Sequence, residues 1–314
     1  MPLGARIDNS DNSDRRPSEN VQSTHEKNTS TFRVESPKYK FSEIILNDDT
    51  YDSIQDMLSL YSKRALIFGE WGLGSKYKQK NRIGINMYGP PGTGKTMAAH
   101  AIADQIGKSI LPIDYSQIES KYVGETSKNL KAMFEYAKEA NAVIFFDEAD
   151  ALLSKRVTDM SNSTDVSVNQ TRSVLLTLLN DFDDLILFAT NFITNYDPAF
   201  MRRISMHIKV SLPDEKNRFK LWNLYIPKQM PTDVDIGLLA KKYENISGSD
   251  IANAVLSASL RAARLNDQIV KHCYFETAIE RIIESKNENS NETFTKKTVS
   301  EEYVRKQFGG ELPR

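Results

Sequence analysis

What the sequence lacks narrows it first. One cysteine, Cys273, stands in 314 residues, which excludes an internal disulfide and fits a reducing compartment. The four histidines, His25, His100, His207 and His272, show no metal-ligand spacing and no HExxH pair, which argues against a zinc protease. No apolar run approaches the ~18 residues that a bilayer crossing requires, and the N-terminus has no hydrophobic signal core. Neither sign of charge dominates: 41 Lys and Arg stand against 42 Asp and Glu, a formal net charge of -1. A chain dedicated to nucleic acid more often carries a basic excess. The expectation is a cytoplasmic globular protein, with no membrane insertion and no nucleic-acid partner.

Residues 1–38 are rich in Asn, Ser, Asp, Arg and Thr with scattered apolar residues, too few to offset the entropy of ordering, and read as a disordered arm. Apolar patterning then begins. Ile54, Met57, Leu58, Tyr61 and Leu66 recur at helical spacing across 49–68. After a Gly/Lys-rich loop, strand-like runs at 83–89, 109–114, 142–147, 185–191 and 207–213 alternate with helical stretches at 96–106, 127–140 and 170–179. Runs 142–147 and 185–191 are almost wholly apolar, as expected of strands covered on both faces. The alternation predicts an α/β fold, a doubly wound parallel sheet of five strands over 39–213. From Asp214 only helical periods remain, at 214–226, 235–243, 249–265 and 272–285, which predicts a small all-helical lid domain over 214–285. Residues 286–314 read as a polar linker and a C-terminal tail, with a short helix at 298–308. Trp71, Trp222 and Cys273 read as packing residues, the last because Tyr274 and Phe275 follow it.

GPPGTGKT, comprising Gly89, Pro90, Pro91, Gly92, Thr93, Gly94, Lys95 and Thr96, fits G-x-x-x-x-G-K-[ST]. The glycines let backbone N–H groups converge on phosphate oxygens, and the helix that follows turns its positive end toward them. Lys95 is expected to reach the β- and γ-phosphates of ATP, and the Thr96 hydroxyl to ligate Mg²⁺. A chance glycine-rich turn would lack the apolar strand before this run and the alanine-rich helix after it.

VIFFDEAD at 143–150 supplies the second half of a site. An apolar strand delivers Asp147 to its carboxyl end, where it holds the Mg²⁺ shell. Glu148 then lies where it can polarise an attacking water as general base. An Asp-Glu pair at this place fits an ATPase, whose phosphoryl acceptor is water.

With these two motifs in order, residues 41–285 resemble an AAA+ ATPase, in the clade of katanin, spastin and related protein remodellers. The resemblance implies further roles. Asn191, which ends LFATN, corresponds to the polar sensor-1 residue. YDPAFMRR (196–203) matches a D-P-A-x-x-R-R segment, so Arg202 and Arg203 are implied to be arginine fingers that act on the ATP of a neighbouring subunit. KYVGE (121–125) resembles the pore loop, so Lys121, Tyr122 and Val123 are implied to line the channel of a homo-hexamer and grip a polypeptide. ISGSDIANAV (246–255) resembles the lid segment where Gly248 lets backbone approach the adenine and Asp250 caps a helix. The strip Phe41–Leu46 is a looser match for adenine contacts, since the D-x-x-G usual there is absent.

The function this implies is an ATP-driven remodeller that pulls client proteins through a ring, with ATP and Mg²⁺ as cofactors. The competing readings are a nucleic-acid-directed AAA+ loader and a nucleotide switch that assembles without threading. An arm in place of an adaptor domain resembles microtubule severers without their recruiting domains, and also short bacterial ATPases that act on HORMA-domain proteins in antiviral signalling; the second resemblance makes a HORMA-domain protein the expected client.

Overall fold

The apolar runs form one parallel sheet in the computed structural model, which describes residues 32–76, 83–114, 125–153, 163–191 and 196–291. Strands β1 (Ile83–Tyr88), β2 (Ser109–Ile113), β3 (Ala142–Phe146), β4 (Leu185–Thr190) and β5 (Met206–Lys209) lie in the order β2-β3-β4-β1-β5. Every ladder is parallel. The chain leaves β1 toward one edge of the sheet and β4 toward the other, which leaves a crevice beyond their carboxyl ends.

Helices α1 (Asp48–Ser62), α2 (Lys95–Gln105), α3 (Glu125–Glu139), α4 (Asp150–Leu153), α5 (Ser163–Asp181) and α6 (Pro198–Met201) accompany the sheet. The alternation along β3 divides its side chains between two cores. Val143 and Phe145 pack with Ile54 and Met57 of α1 and with Ala98 and Ile102 of α2. Ile144 and Phe146 pack with Leu130 and Met133 of α3 and Leu175 of α5. Phe146 also stacks on Phe188 of β4, with ring centroids 5.2 Å apart and an interplanar angle of 8°. Both faces are thus apolar and covered, which is why the strand sequence shows no polar alternation.

Helices α7 (Glu215–Tyr225), α8 (Ile236–Lys242), α9 (Gly248–Leu265) and α10 (His272–Asn291) build the helical lid. Their starts follow local chemistry. Asp214 accepts from the Asn217 N–H at 2.7 Å, and Asp235 from the Leu238 N–H at 2.9 Å, each satisfying an amide the helix leaves unpaired. The lid has its own core, where Trp222 meets Phe275 edge-on at 6.2 Å.

The five-stranded α/β sheet and the helical lid match the sequence reading, with differences of detail. β5 ends at Lys209 instead of running to 213, and α5 starts at Ser163, earlier than the apolar period indicates. Residues 32–38, grouped with the arm on composition, are packed. Phe32 is buried in the core, and Glu35 makes an antiparallel bridge with Ile110 of the edge strand β2 through hydrogen bonds of 2.8 and 2.9 Å. Trp71 is no packing residue; it is 65% exposed. Cys273 is also exposed, because a helix turns about 100° per residue and the buried Tyr274 and Phe275 take the inward face. The 298–308 helix and the remainder of the arm lie outside the described residues.

The two tryptophans provide a stability test. Trp222→Ala is expected to cost about 3–5 kcal/mol through loss of burial and the cavity left behind, whereas Trp71→Ala is expected to change stability by less than about 0.5 kcal/mol. Urea unfolding of the two variants measures the difference, and equal costs would contradict the assigned burial.

Candidate functional site

The site begins where β1 stops. Gly89 turns the chain at φ +154°, and a Cβ there would stand 2.0 Å from the Val210 carbonyl oxygen. Glycine is required at this point for packing rather than for ligand access. Gly92 and Gly94 take φ of +74° and +92°, values that L side chains rarely adopt. Around Gly94 nothing lies within 4 Å of where a Cβ would be, so its backbone borders open space at the first turn of α2.

Lys95, the first residue of α2, is 8% exposed. Its ammonium donates to the carbonyls of Gly89 and Pro90 at 2.8 and 2.9 Å and to Asn191 Oδ1 at 3.0 Å. Burial pulls its pKa below the ordinary lysine value, against the opposing attraction of Asp147 and Asp150. Beside it, the Thr96 hydroxyl donates to Asp147 Oδ2 at 2.8 Å. Asp147 follows the last residue of β3, and its second oxygen accepts the Glu148 N–H at 3.0 Å. Glu148 itself is exposed and sits at φ +49°, a conformation that costs a non-glycine residue of order 1 kcal/mol and concentrates at functional turns. Asn191 follows the end of β4, and its N–H donates to Asp150 Oδ2 at 3.1 Å.

These groups line one cleft of about 340 Å³. Pro91, Gly92, Thr93, Gly94, Lys95, Thr96, Asp147, Glu148, Asn191 and Gly248 all border it, whereas Gly89 and Pro90 contribute through their carbonyls behind Lys95. The opposite wall is apolar. It is made by Ile44, Ile45 and Leu46, which belong to the strip loosely matched in the sequence, and by Leu221, Leu224 and Tyr225 of α7, which sequence reading missed. The available signal was Leu224, a large apolar side chain left 55% exposed on an otherwise packed helix.

The lid reaches the phosphate loop at Gly92. The Ser249 N–H donates to the Gly92 carbonyl at 3.4 Å, and a Cβ on Gly92 would stand 2.7–2.9 Å from Ser247 and Ser249 atoms. Gly248 opens α9, with Ser247 as its N-cap. Asp250 is therefore not the cap but its reciprocal partner: its Oδ2 accepts the Ser247 N–H at 2.6 Å, and its own N–H donates to the Ser247 hydroxyl oxygen at 3.3 Å. Lys286 of α10 pairs with the same carboxylate.

The paired arginines separate. Arg203 donates from Nε to Asn180 Oδ1 at 2.9 Å and from NH1 to the Ala199 carbonyl at 2.8 Å. Arg202 is exposed; its backbone N–H closes the helix on the Pro198 carbonyl at 3.2 Å, while its side chain is not engaged by Asn180 or Ala199 as that of Arg203 is. Neither lines the cleft of its own chain. Lys121, Tyr122 and Val123 lie outside the described residues.

Backbone amides around an open hollow, with a buried ammonium and hard oxygen donors beside it, suit a nucleoside triphosphate. Thr96 and Asp147 are the donors that fit Mg²⁺, which prefers oxygen and needs few protein ligands when phosphates supply others. Among the described residues no cluster of three or more His, Cys, Asp or Glu offers a self-sufficient metal cage. The class this defines is a P-loop nucleotide-binding protein.

Known proteins narrow the class. Residues 85–212 match the ATPase family associated with various cellular activities (AAA). The proteasome-activating nucleotidase of Sulfurisphaera tokodaii is 32% identical over 275 residues, covering 85% of this chain and 68% of that protein. Those of Methanopyrus kandleri and Saccharolobus solfataricus are 32% identical over 266 residues and 35% over 239, covering 82% and 74% of this chain. The chain belongs to the AAA ATPase family. It spans 59% of the length of the Methanopyrus and Saccharolobus relatives.

Gly92→Ala tests the lid contact. The added methyl meets Ser247 and Ser249 and strains a positive φ, so affinity for a fluorescent ATP analogue is expected to fall at least about tenfold, or roughly 1.4 kcal/mol. Unchanged affinity would mean that the contact does not shape the site.

Proposed function

We propose that this chain hydrolyses ATP in the cleft and uses the cycle to draw client polypeptides through a homo-hexameric ring. The observation that carries the reading is the meeting of Lys95, Thr96, Asp147, Glu148 and Asn191, from the ends of separate strands, on one cleft. Lys95 exchanges carbonyl partners for the β- and γ-phosphate oxygens. Thr96 and Asp147 hold Mg²⁺, which when bound neutralises phosphate charge. Glu148 accepts the proton of a water that attacks the γ-phosphorus, Asn191 orients that water, and the bond to the β-phosphate oxygen breaks to leave ADP and phosphate. The apolar wall of Ile44, Leu46, Leu224 and Tyr225 holds the adenine.

Arg202 is the arginine finger in this reading. It is exposed and outside its own cleft, so it is available to a neighbour's γ-phosphate, whereas Arg203 is committed to Asn180 and Ala199 within its own chain. Protein clients are supported by relatives named for activating a proteasome, and a net charge of -1 supplies no basic field to favour nucleic acid. Lys121, Tyr122 and Val123 grip the extended client. From the resemblance to short bacterial ATPases that act on HORMA-domain proteins we carry forward a HORMA-domain protein in an antiviral system as the client.

Glu148→Gln is expected to retain ATP binding and to lower steady-state turnover by about 10²–10⁴-fold; turnover near the wild-type rate would remove Glu148 from the chemistry. Arg202→Ala is expected to lower turnover by about 10³-fold or more, and Arg203→Ala by much less. A reversed ranking in a phosphate-release assay would exchange the two assignments. Mass spectrometry of clients trapped by Glu148→Gln tests the client class, and Tyr122→Ala is expected to stop unfolding of a fluorescent client. Absence of HORMA-domain proteins would remove the first idea, and surviving unfolding the second.

A further inference from the structure

Strand β1 carries a polar residue at its buried centre. Asn86 is fully buried in a run whose other side chains are apolar. Its Oδ1 accepts the Thr190 hydroxyl at 3.2 Å, and Thr190 in turn accepts the Tyr196 hydroxyl. Thr190 is 1% and Tyr196 6% exposed, so the three form a chain of hydrogen bonds shielded from water. Asn86 Nδ2 has no partner at hydrogen-bond geometry among the described residues. A buried amide left half-satisfied costs stability that a leucine or valine would not cost. Packing alone therefore gives no reason for it.

The reason lies in what each member is joined to. Thr190 is the last residue of β4 and directly precedes Asn191, whose Oδ1 holds Lys95 at 3.0 Å. Tyr196 directly precedes Asp197, which starts α6 by accepting the Ala199 N–H at 2.8 Å, and Arg202 is the C-cap of α6. The Asp197 N–H donates to the Leu153 carbonyl at 2.8 Å, which ties the same point to α4, the helix begun by Asp150. Asp150 receives the Asn191 N–H. Asn86 is on β1, paired in register with Phe188 of β4, while Thr190 is paired with Tyr88.

We propose that Tyr196 is a positioning residue: through Thr190 and Asn86 it locks the arginine-bearing helix α6 to the end of β4, so that Asn191 in its own site and Arg202 toward a neighbour are set as one unit. This rests on the hydrolytic reading of the cleft given above. Residues 192–195 separate Asn191 from Tyr196 in sequence, and the hydroxyl contact to Thr190 bridges that interval directly. Burial raises the pKa of the Tyr196 hydroxyl, which keeps it a neutral donor through the physiological range. Replacing it by phenylalanine keeps the ring in the core and removes the hydroxyl that makes the tether.

Tyr196→Phe is expected to lower kcat for ATP about tenfold or more, with KM, the affinity for a fluorescent ATP analogue and the melting temperature close to wild type; Thr190→Val is expected to lower kcat as far and also to lower the melting temperature, because it leaves Asn86 Oδ1 and the Tyr196 hydroxyl unpaired. Thr190→Ser, which keeps the hydroxyl, is expected to restore the wild-type rate. A merely structural role would move melting temperature and affinity together with kcat in Tyr196→Phe, and Thr190→Ser would then give no selective recovery. That result, or wild-type kcat in both Tyr196→Phe and Thr190→Val, would overturn the proposal. Should Thr190→Val fail to fold, Tyr196→Phe and Thr190→Ser still decide it. Glu148→Gln run in parallel keeps the two levels apart: undiminished turnover there would sink the hydrolytic reading, whatever Tyr196→Phe does.

Discussion

The Lys95 ammonium is where the molecule is knotted together. One buried cation draws on the carbonyls of Gly89 and Pro90 and on the Asn191 amide, so the phosphate loop and the end of β4 are held by the same charge. The cost of desolvating it shows in its lowered pKa, and hydrogen bonds to all three oxygens offset that cost. The parallel sheet makes this meeting possible, because strands running the same way deliver their carboxyl ends, and with them Lys95, Asp147 and Asn191, to one edge. Reverse one strand and the three would not share a cleft.

Around that point the site has two unlike halves. Polar, backbone-rich loops at the strand ends line one side of the cleft, and an apolar wall borrowed partly from the lid lines the other. The lid is therefore part of the binding site, although it keeps its own core around Trp222 and Phe275. The strip 44–46 joins the two halves: Ile45 packs against the lid core, and Ile44 and Leu46 against the core on one face of the sheet. The Ser249 N–H to Gly92 carbonyl contact joins the lid to the phosphate loop as well.

Much of this was legible in the sequence, for physical reasons. The run 142–147 has no polar residue until Asp147, and a strand apolar on every side chain can only be buried on both faces, which fixes the α/β class and puts the carboxylate at a strand end. Gly92 and Gly94 occupy positions that demand positive φ, so the loop motif carries backbone information directly. What escaped reading depends on contacts distant in sequence. Leu224 and Tyr225 look like ordinary helix residues until the fold brings 44–46 opposite them. Phe32 and Glu35 sit in a polar stretch and find order only because the edge of β2 offers unpaired backbone groups. Cys273 was misread because adjacency in sequence is not adjacency on a helix face. Asn86 is visible as a polar residue in an apolar strand, yet its partners are named only by the register that sets β1 against β4.

Helix α9 begins at the phosphate loop and runs 18 residues away from it, which at 1.5 Å per residue is roughly 27 Å of rigid rod. A rod pinned at one end is a lever. A swing of about 10° at the Gly92 contact would carry its far end through roughly 5 Å by the same geometry. A helix anchored this way would turn a small rotation at the phosphate loop into a displacement on the scale of a side chain.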